Sequence, residues 1–573
     1  LVCSKGKLTH KDSLLSCCKF HWRGKIIFIT PVVTMPILAL GFCNDRAEYK
    51  CIYLIVNMAV FWISECIPLY VTSLLPLVFL PLFGILSTER CCSLFFTNTL
   101  VMFIAGLFLA VAIEYSNLHK RIALGTILLA GCSPRRLLLG LMVVTVFLSM
   151  WISNSATTAL MCPIIKAILS EMEAEKLFSV YMTQDEEPVG EGEPPHPSKM
   201  SMAFYFGVAY TASIGGISTL IGTGTNLTFK GIYETRFPKS KEKITFPGWM
   251  VYAIPIGVIV NLLMLYISLQ ITHMALFRPN SKIGQEVKTA IANNHLVHGT
   301  IKQNFAELGR MTCHEIQIII IFSIMIVLLF TSHPGFMPGW SDALNLQGVE
   351  GSAVMLLFVV ILFALPTQYT FFKYCCGSAP FTGRTMDACI SWNFIHNNMP
   401  WGLCFLIGGG FALAEGSKVS GMAKMLGESL SFVSTIPRDV VIGVTLLISI
   451  FCTTFSSNVA VCNILTPVFC EMVISSKNQS QNYYNSQLQA LAVKIHPLLL
   501  TLPACLVMSF SFFLPVSTPP NAIISGYANI KTKYMAMAGI LPTVFGVLLL
   551  WINAVTWGIL IYPGTKEFPA WAK

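Results

Sequence analysis

Two stretches 304 residues apart carry the same pattern. Ser153-Asn154-Ser155-Ala156 runs on to Pro163-Ile164, and Ser457-Asn458-Val459-Ala460 runs on to Pro467-Val468, with ten residues from Ser to Pro in both copies. Four residues ahead of each Ser-Asn stands another hydroxyl, Ser149 in the first copy and Thr453 in the second. Downstream comes a second shared break, Gly222-Thr223-Gly224-Thr225-Asn226 and Ser517-Thr518-Pro519-Pro520-Asn521, both reading Thr-x-x-Asn at a separation of 295. Chance would not reproduce two separations so close, so the chain reads as a duplicated fold.

All four patterns interrupt apolar runs. Such runs lie near 25–43, 51–68, 68–86, 99–115, 137–169, 202–233, 249–275, 316–331, 351–366, 400–415, 436–474, 486–528 and 534–562. Of 573 residues, 54% are hydrophobic and 11% charged, whereas a soluble domain carries roughly 25% charge. A single water-soluble core of this length cannot hide that much apolar surface. The composition predicts an all-α polytopic membrane protein with room for roughly ten to twelve spans, re-entrant pieces included.

The runs 137–169, 202–233, 436–474 and 486–528 exceed one plain span and are broken by Ser, Thr, Asn, Gly or Pro. Unwound backbone is tolerated in hydrocarbon only where it is buried in protein or lines a cavity. Pro519-Pro520 removes two amide donors, and Gly222 and Gly224 supply freedom in the other half. Paired interrupted segments in two halves mark a transporter's midplane site, where helix N-termini face an anion and freed carbonyls hold a cation.

The net charge of +10 is scattered between the runs and forms no nucleic-acid-binding stripe. With the basic segment 1–24 in the cytoplasm, Lys120, Arg121, Arg135, Arg136, Lys531 and Lys533 fall on that side, as positive-inside bias requires. Four basic residues in 234–248 are exceptions. This topology places the C-terminus outside and makes 170–200 and 276–314 cytoplasmic linkers. Segment 1–24 has no cleavage-site pattern and reads as no signal peptide. Asn478-Gln479-Ser480 falls outside and is an expected glycosylation site.

Nineteen Cys, many inside apolar runs, argue against a disulfide framework. No Cys, His or carboxylate set has metal or catalytic spacing, and no phosphate-binding loop is present. An enzyme is not expected, nor a cofactor beyond a coupling ion, Na+ or H+. Glu65, Glu114 and Glu415, in or at the ends of apolar runs, are the proton-site candidates, against the alternative of structural pairing.

At these residues the chain resembles the divalent anion/sodium symporter family, closest to its animal citrate and dicarboxylate branch, the INDY-type transporters. Further matching stretches are Leu118-His119-Lys120-Arg121-Ile122-Ala123-Leu124, Met399-Pro400-Trp401, Gly408-Gly409-Gly410-Phe411-Ala412-Leu413-Ala414 and Leu514-Pro515-Val516-Ser517-Thr518-Pro519-Pro520-Asn521-Ala522. The resemblance covers nearly the whole chain. It implies a plasma-membrane homodimer of inverted-repeat, elevator-type protomers, each with about eleven transmembrane helices and two re-entrant hairpins, here 137–169 and 436–474. After segment 1–24, the implied domains are first-half scaffold helices at 25–115 and a transport region at 116–248. Second-half scaffold helices then take 249–383, a second transport region 384–533, and the last helix and C-terminus 534–573.

By the same resemblance the hairpin tips and breaks bind the carboxylates of a citrate-like or C4-dicarboxylate substrate through Ser153, Asn154, Ser155, Thr223, Ser457, Asn458, Val459 and Thr518. Sodium prefers oxygen ligands, and the candidates are Ser149, Ser153, Asn154 and Gly222 in the first half, and Thr453, Ser456, Asn458 and Ser517 in the second. Val459, Val461 and Cys462 leave the second half with fewer side-chain oxygens, so symport and exchange both stay open. A sulfate carrier, or an anion channel on a transporter scaffold, are the alternative readings.

Overall fold

The computed structural model describes residues 22–566 apart from 132, 175–177, 183–194, 241, 293–298, 300, 301, 304, 333–338, 347, 348, 370–386, 423, 424, 426–435, 475–494 and 516. The sequon at Asn478 lies outside the described residues. Among these the structure is helical, with only two isolated β-bridges. Among the described residues, seven helical stretches are long and apolar enough to cross a membrane.

Both long motifs fold as helical hairpins. Hairpin 1 pairs Pro134–Ser149 with Asn154–Ala174, and hairpin 2 pairs Arg438–Phe455 with Asn458–Ile474. The arms of hairpin 1 run beyond the apolar stretch 137–169, because Pro134 starts the first arm and Glu171 and Glu173 extend the second as a polar end. Each hairpin is followed by a helix broken near its middle. Broken helix 1 is Lys199–Gly216 and Gly224–Arg236, and broken helix 2 is Pro497–Val507 and Pro519–Tyr527.

The halves interlock. The incoming arm of each hairpin packs on the first piece of its own broken helix, and the outgoing arm packs on the second piece of the other half's broken helix. The duplication extends upstream, where Asn117 (φ 57°) and Gly421 (φ 78°), 304 residues apart, end equivalent helices in the left-handed conformation. Ser116 and Ser420 hold these turns by accepting from the Leu118 and Met422 amides at 3.4 and 3.3 Å.

Burial grades from this centre outward. Every residue from Met200 to Gly216 is buried, while Trp22–Cys43 turns Phe28, Val32 and Val33 outward at 77, 70 and 69% exposure, a surface suited to lipid. Gly408, Gly409 and Gly410 pack against Phe95, Ser73 and Asn463, so that run serves close helix packing.

Two helices lie outside the apolar runs of the sequence reading. Leu118–Ala130 is a helix, although His119, Lys120 and Arg121 keep it out of the apolar runs. The stretch 276–314, read as a linker, contains the helix Lys282–Ala292, which buries Gly284, Val287 and Ala290. Their three-residue spacing makes one face of a short amphipathic helix, too narrow to register as an apolar run. Arg121 joins the two segments: its guanidinium pairs with Glu315 at 3.0 Å and donates to the Leu308 and Gly309 carbonyls at 3.0 and 2.9 Å.

Candidate functional site

Each hairpin turns at its Ser-Asn motif, and the turn places a carboxamide at the start of the outgoing helix. Asn154 and Asn458 are the first helical residues, both half-buried. Ser149 Oγ lies 2.8 Å from Asn154 Oδ1 and 2.6 Å from the Ala212 carbonyl. Thr453 Oγ1 repeats this, 2.7 Å from Asn458 Oδ1 and 2.9 Å from the Met508 carbonyl. One hydroxyl proton cannot serve two acceptors, so each trio has more lone pairs than protons, a donor set that suits a hard cation.

The same bond orients the amide. With Oδ1 engaged, Nδ2 points away from the hydroxyl, and neither Asn154 nor Asn458 gives its Nδ2 to an acceptor among the described residues. Gly216 makes room for this, since a Cβ there would collide with the Asn154 carboxamide.

The breaks present two further helix N-termini. Thr223 and Thr518 stand at the N-caps in nearly identical extended conformations, φ −146° and −142°, and neither side chain caps its own helix. Thr518 Oγ1 is buried without a partner. Asn226 donates to the Gly216 and Thr219 carbonyls at 3.0 and 2.7 Å, and Asn521 to the Ser511 and Leu514 carbonyls at 3.0 and 3.1 Å. These positions lie ten and seven residues upstream in both halves, so each asparagine stitches its own unwound strand. Unwound strand and hairpin tip are tied as well, by Thr219 to the Met150 carbonyl at 2.6 Å and Ser517 to the Thr454 carbonyl at 2.8 Å.

The remaining expected residues fall around this centre. Ser153 Oγ accepts the Ala156 amide at 3.4 Å, and Ser155 and Ser457 are half-buried near the tips. Gly222 donates its amide to Thr219 Oγ1 at 3.0 Å, and a Cβ there would come within 2.5 Å of the Gly216 carbonyl. Ser456 Oγ is buried and unpartnered. Val459 packs 3.4 Å from where a Gly224 Cβ would stand, bringing hairpin 2 against broken helix 1. The carbonyls of Ala212 and Met508 and the stitching amides of Asn226 and Asn521 escaped sequence reasoning. The repeated Thr-x-x-Asn held the signal for the asparagines.

Of the acidic residues, Glu415 pairs with Arg90 at 3.1 Å and Lys418 at 3.9 Å, and Glu65 is exposed at a helix end. Among the described residues no group of three or more His, Cys, Asp or Glu converges.

A family model, the sodium:sulfate symporter transmembrane region, matches residues 21–562. The chain belongs to this sodium:sulfate symporter family. Family members similar to it include the Protein I'm not dead yet of Drosophila melanogaster, 46% identical over 98% of this chain and 93% of that one. The Na(+)/citrate cotransporter of Rattus norvegicus is 32% identical over 96% of each. The Na(+)/dicarboxylate cotransporter 3 of Homo sapiens is 32% identical over 98% of this chain and 96% of its own. The protein is thus a multi-pass, predominantly helical membrane transporter and not an enzyme.

Proposed function

We propose that the protein is a secondary transporter of citrate and C4-dicarboxylates. The observation that carries this reading is the symmetric pair of carboxamides whose oxygens are held and whose nitrogens meet no acceptor among the described residues, set at the N-termini of helices from both halves. Asn154 and Asn458 donate to substrate carboxylates, with Ser155, Thr223 and Thr518 as hydroxyl donors. The oriented helix N-termini supply further stabilisation for the anion. Neutral donors recognise a carboxylate without the tight hold of a buried counter-charge, which suits a carrier that must also release. The names of the citrate and dicarboxylate cotransporters among its relatives support this substrate class over sulfate.

Where sodium couples, the trios Ser149–Asn154–Ala212 and Thr453–Asn458–Met508 hold it through oxygen, with Ser153, Gly222, Ser456 and Ser517 close by. The cycle is alternating access of the elevator kind. Residues 116–248 and 384–533 move as a transport region against scaffold helices at 25–115 and 249–383, in a plasma-membrane homodimer with the N-terminus cytoplasmic and the C-terminus outside.

The test is labelled citrate uptake into proteoliposomes, with and without an inward sodium gradient and with unlabelled citrate inside or absent. Uptake is expected, and sulfate should compete poorly. Dependence on the gradient marks symport, and stimulation by internal citrate without it marks exchange. Absence of citrate uptake under every condition overturns the reading.

A further inference from the structure

The two halves diverge one turn behind the hairpin tips. In hairpin 1, Thr158 bonds back to the Asn154 carbonyl at 2.8 Å. Its counterpart in hairpin 2 is Cys462, whose thiol turns across the halves and lies 3.7 Å from the Thr225 carbonyl of broken helix 1. Cys505, from the first piece of broken helix 2, approaches the same carbonyl at 3.6 Å. Thr466 Oγ1 stands 3.3 Å from Cys462 Sγ. Both cysteines are fully buried.

Three elements from both halves thus converge two thiols on one carbonyl oxygen. No third Cys, His or carboxylate joins them among the described residues, which disfavours the tetrahedral set of zinc. A two-sulfur site with an oxygen neighbour selects instead a soft ion content with two ligands. Binding exchanges two S–H bonds for two S–metal bonds and releases two protons, leaving one negative charge on a bis-thiolate. Thr225 is the second residue of the helix Gly224–Arg236, and Cys462 lies in the second turn of Asn458–Ile474. Both helix N-termini therefore lie near that charge and stabilise it.

We propose that Cys462 and Cys505 form a binding site for one soft, two-coordinate metal ion of the copper(I) class. The ion bridges hairpin 2 to broken helix 2, one turn from Asn458 and one turn from Met508, and so fixes the spacing of the second oxygen trio. Occupied, the site holds that trio rigid and inhibits transport.

The experiment uses the purified full chain and silver(I) as a redox-stable probe. Bound silver is counted per chain by elemental analysis, and labelled citrate uptake is followed in proteoliposomes. Wild type should bind one more silver than either Cys462→Ser or Cys505→Ser, and the silver concentration that halves uptake should rise at least tenfold in each variant. Cys162→Ser, at a buried thiol of hairpin 1, should match wild type. Equal binding in all four proteins overturns the site, whether or not citrate is carried. Equal binding loss with unchanged silver sensitivity overturns the inhibitory role. Should the serine variants fail to fold, X-ray absorption of the wild type with one copper(I) decides: a two-sulfur shell supports the site, and a higher-coordinate shell overturns it.

Discussion

Ser149 Oγ lies 2.8 Å from the side-chain oxygen of Asn154, and the amide nitrogen of Asn154 has no acceptor among the described residues. Thr453 Oγ1 stands likewise to Asn458 at 2.7 Å. If the hydroxyls set the amides, Ser149→Ala and Thr453→Val should lower uptake by about tenfold or more, the scale of one lost hydrogen bond to a buried group. Thr453→Ser should remain near wild type. Surface-normalised uptake checks this, and equal activity of the valine and serine variants would remove the positioning role.

Gly216→Ala should be as damaging as removing the amide itself, because the new Cβ occupies the space of the Asn154 carboxamide. The expected result is a large loss of uptake with surface expression kept, and partial recovery when Asn154 is shortened is not expected, since the donor is then gone. Normal uptake by Gly216→Ala would place Asn154 elsewhere.

Asn226→Asp and Asn521→Asp replace an amide donor with oxygen opposite two carbonyls. Each change orphans buried acceptors, at about 1–3 kcal/mol per group. Thermal unfolding in detergent should fall by several degrees for each variant, and by similar amounts in the two halves. A drop confined to one half would break the equivalence.

Arg121→Ala should free residues 308–315 from the helix Leu118–Ala130. Both partners of the Arg121–Glu315 pair are largely buried, with side chains 11 and 6% exposed, and breaking such a pair costs about 3–5 kcal/mol. Hydrogen exchange at 308–315 should accelerate, and Arg121→Lys, which lacks the planar fork, should rescue only in part.

His119 sits outside the spanning helices, and burial, opposed by the Ile113 carbonyl, pushes its imidazole down from 6.5 to about 4. The unfolded chain therefore binds a proton at a pH where the folded one does not. Stability from this group is full above 6.5 and is lost as pH falls toward about 4. His119→Asn should flatten the fall of the thermal midpoint across that window, and an unchanged slope would assign the acid sensitivity to other groups.

The duplication was legible because both copies keep the residue types on which a turn inside the membrane depends. Ser149 and Thr453 were visible as matched hydroxyls four residues ahead of each Ser-Asn. What they bond to was not, since Ala212 and Met508 contribute only carbonyls, which every residue has. A second repeated pair, His196-Pro197 and His496-Pro497, went unread. His196 meets the Asn529 carbonyl at 2.9 Å, and His496 accepts the Leu498 amide at 3.1 Å. The helix Leu118–Ala130 lay outside the apolar runs for a different reason: its Arg121 bonds to Leu308, Gly309 and Glu315, which local periodicity does not reveal.

The asparagines that stitch the two unwound strands bear on the cost of each transport cycle. Ordering a residue's backbone takes about 1–2 kcal/mol of free energy. A break that settled only around its solute would surrender that amount several times over at every encounter. With Asn226 and Asn521 already holding the strands in place, a solute bound as proposed here would arrive and depart with chain entropy nearly unchanged. The carrier can then let go as readily as it takes hold.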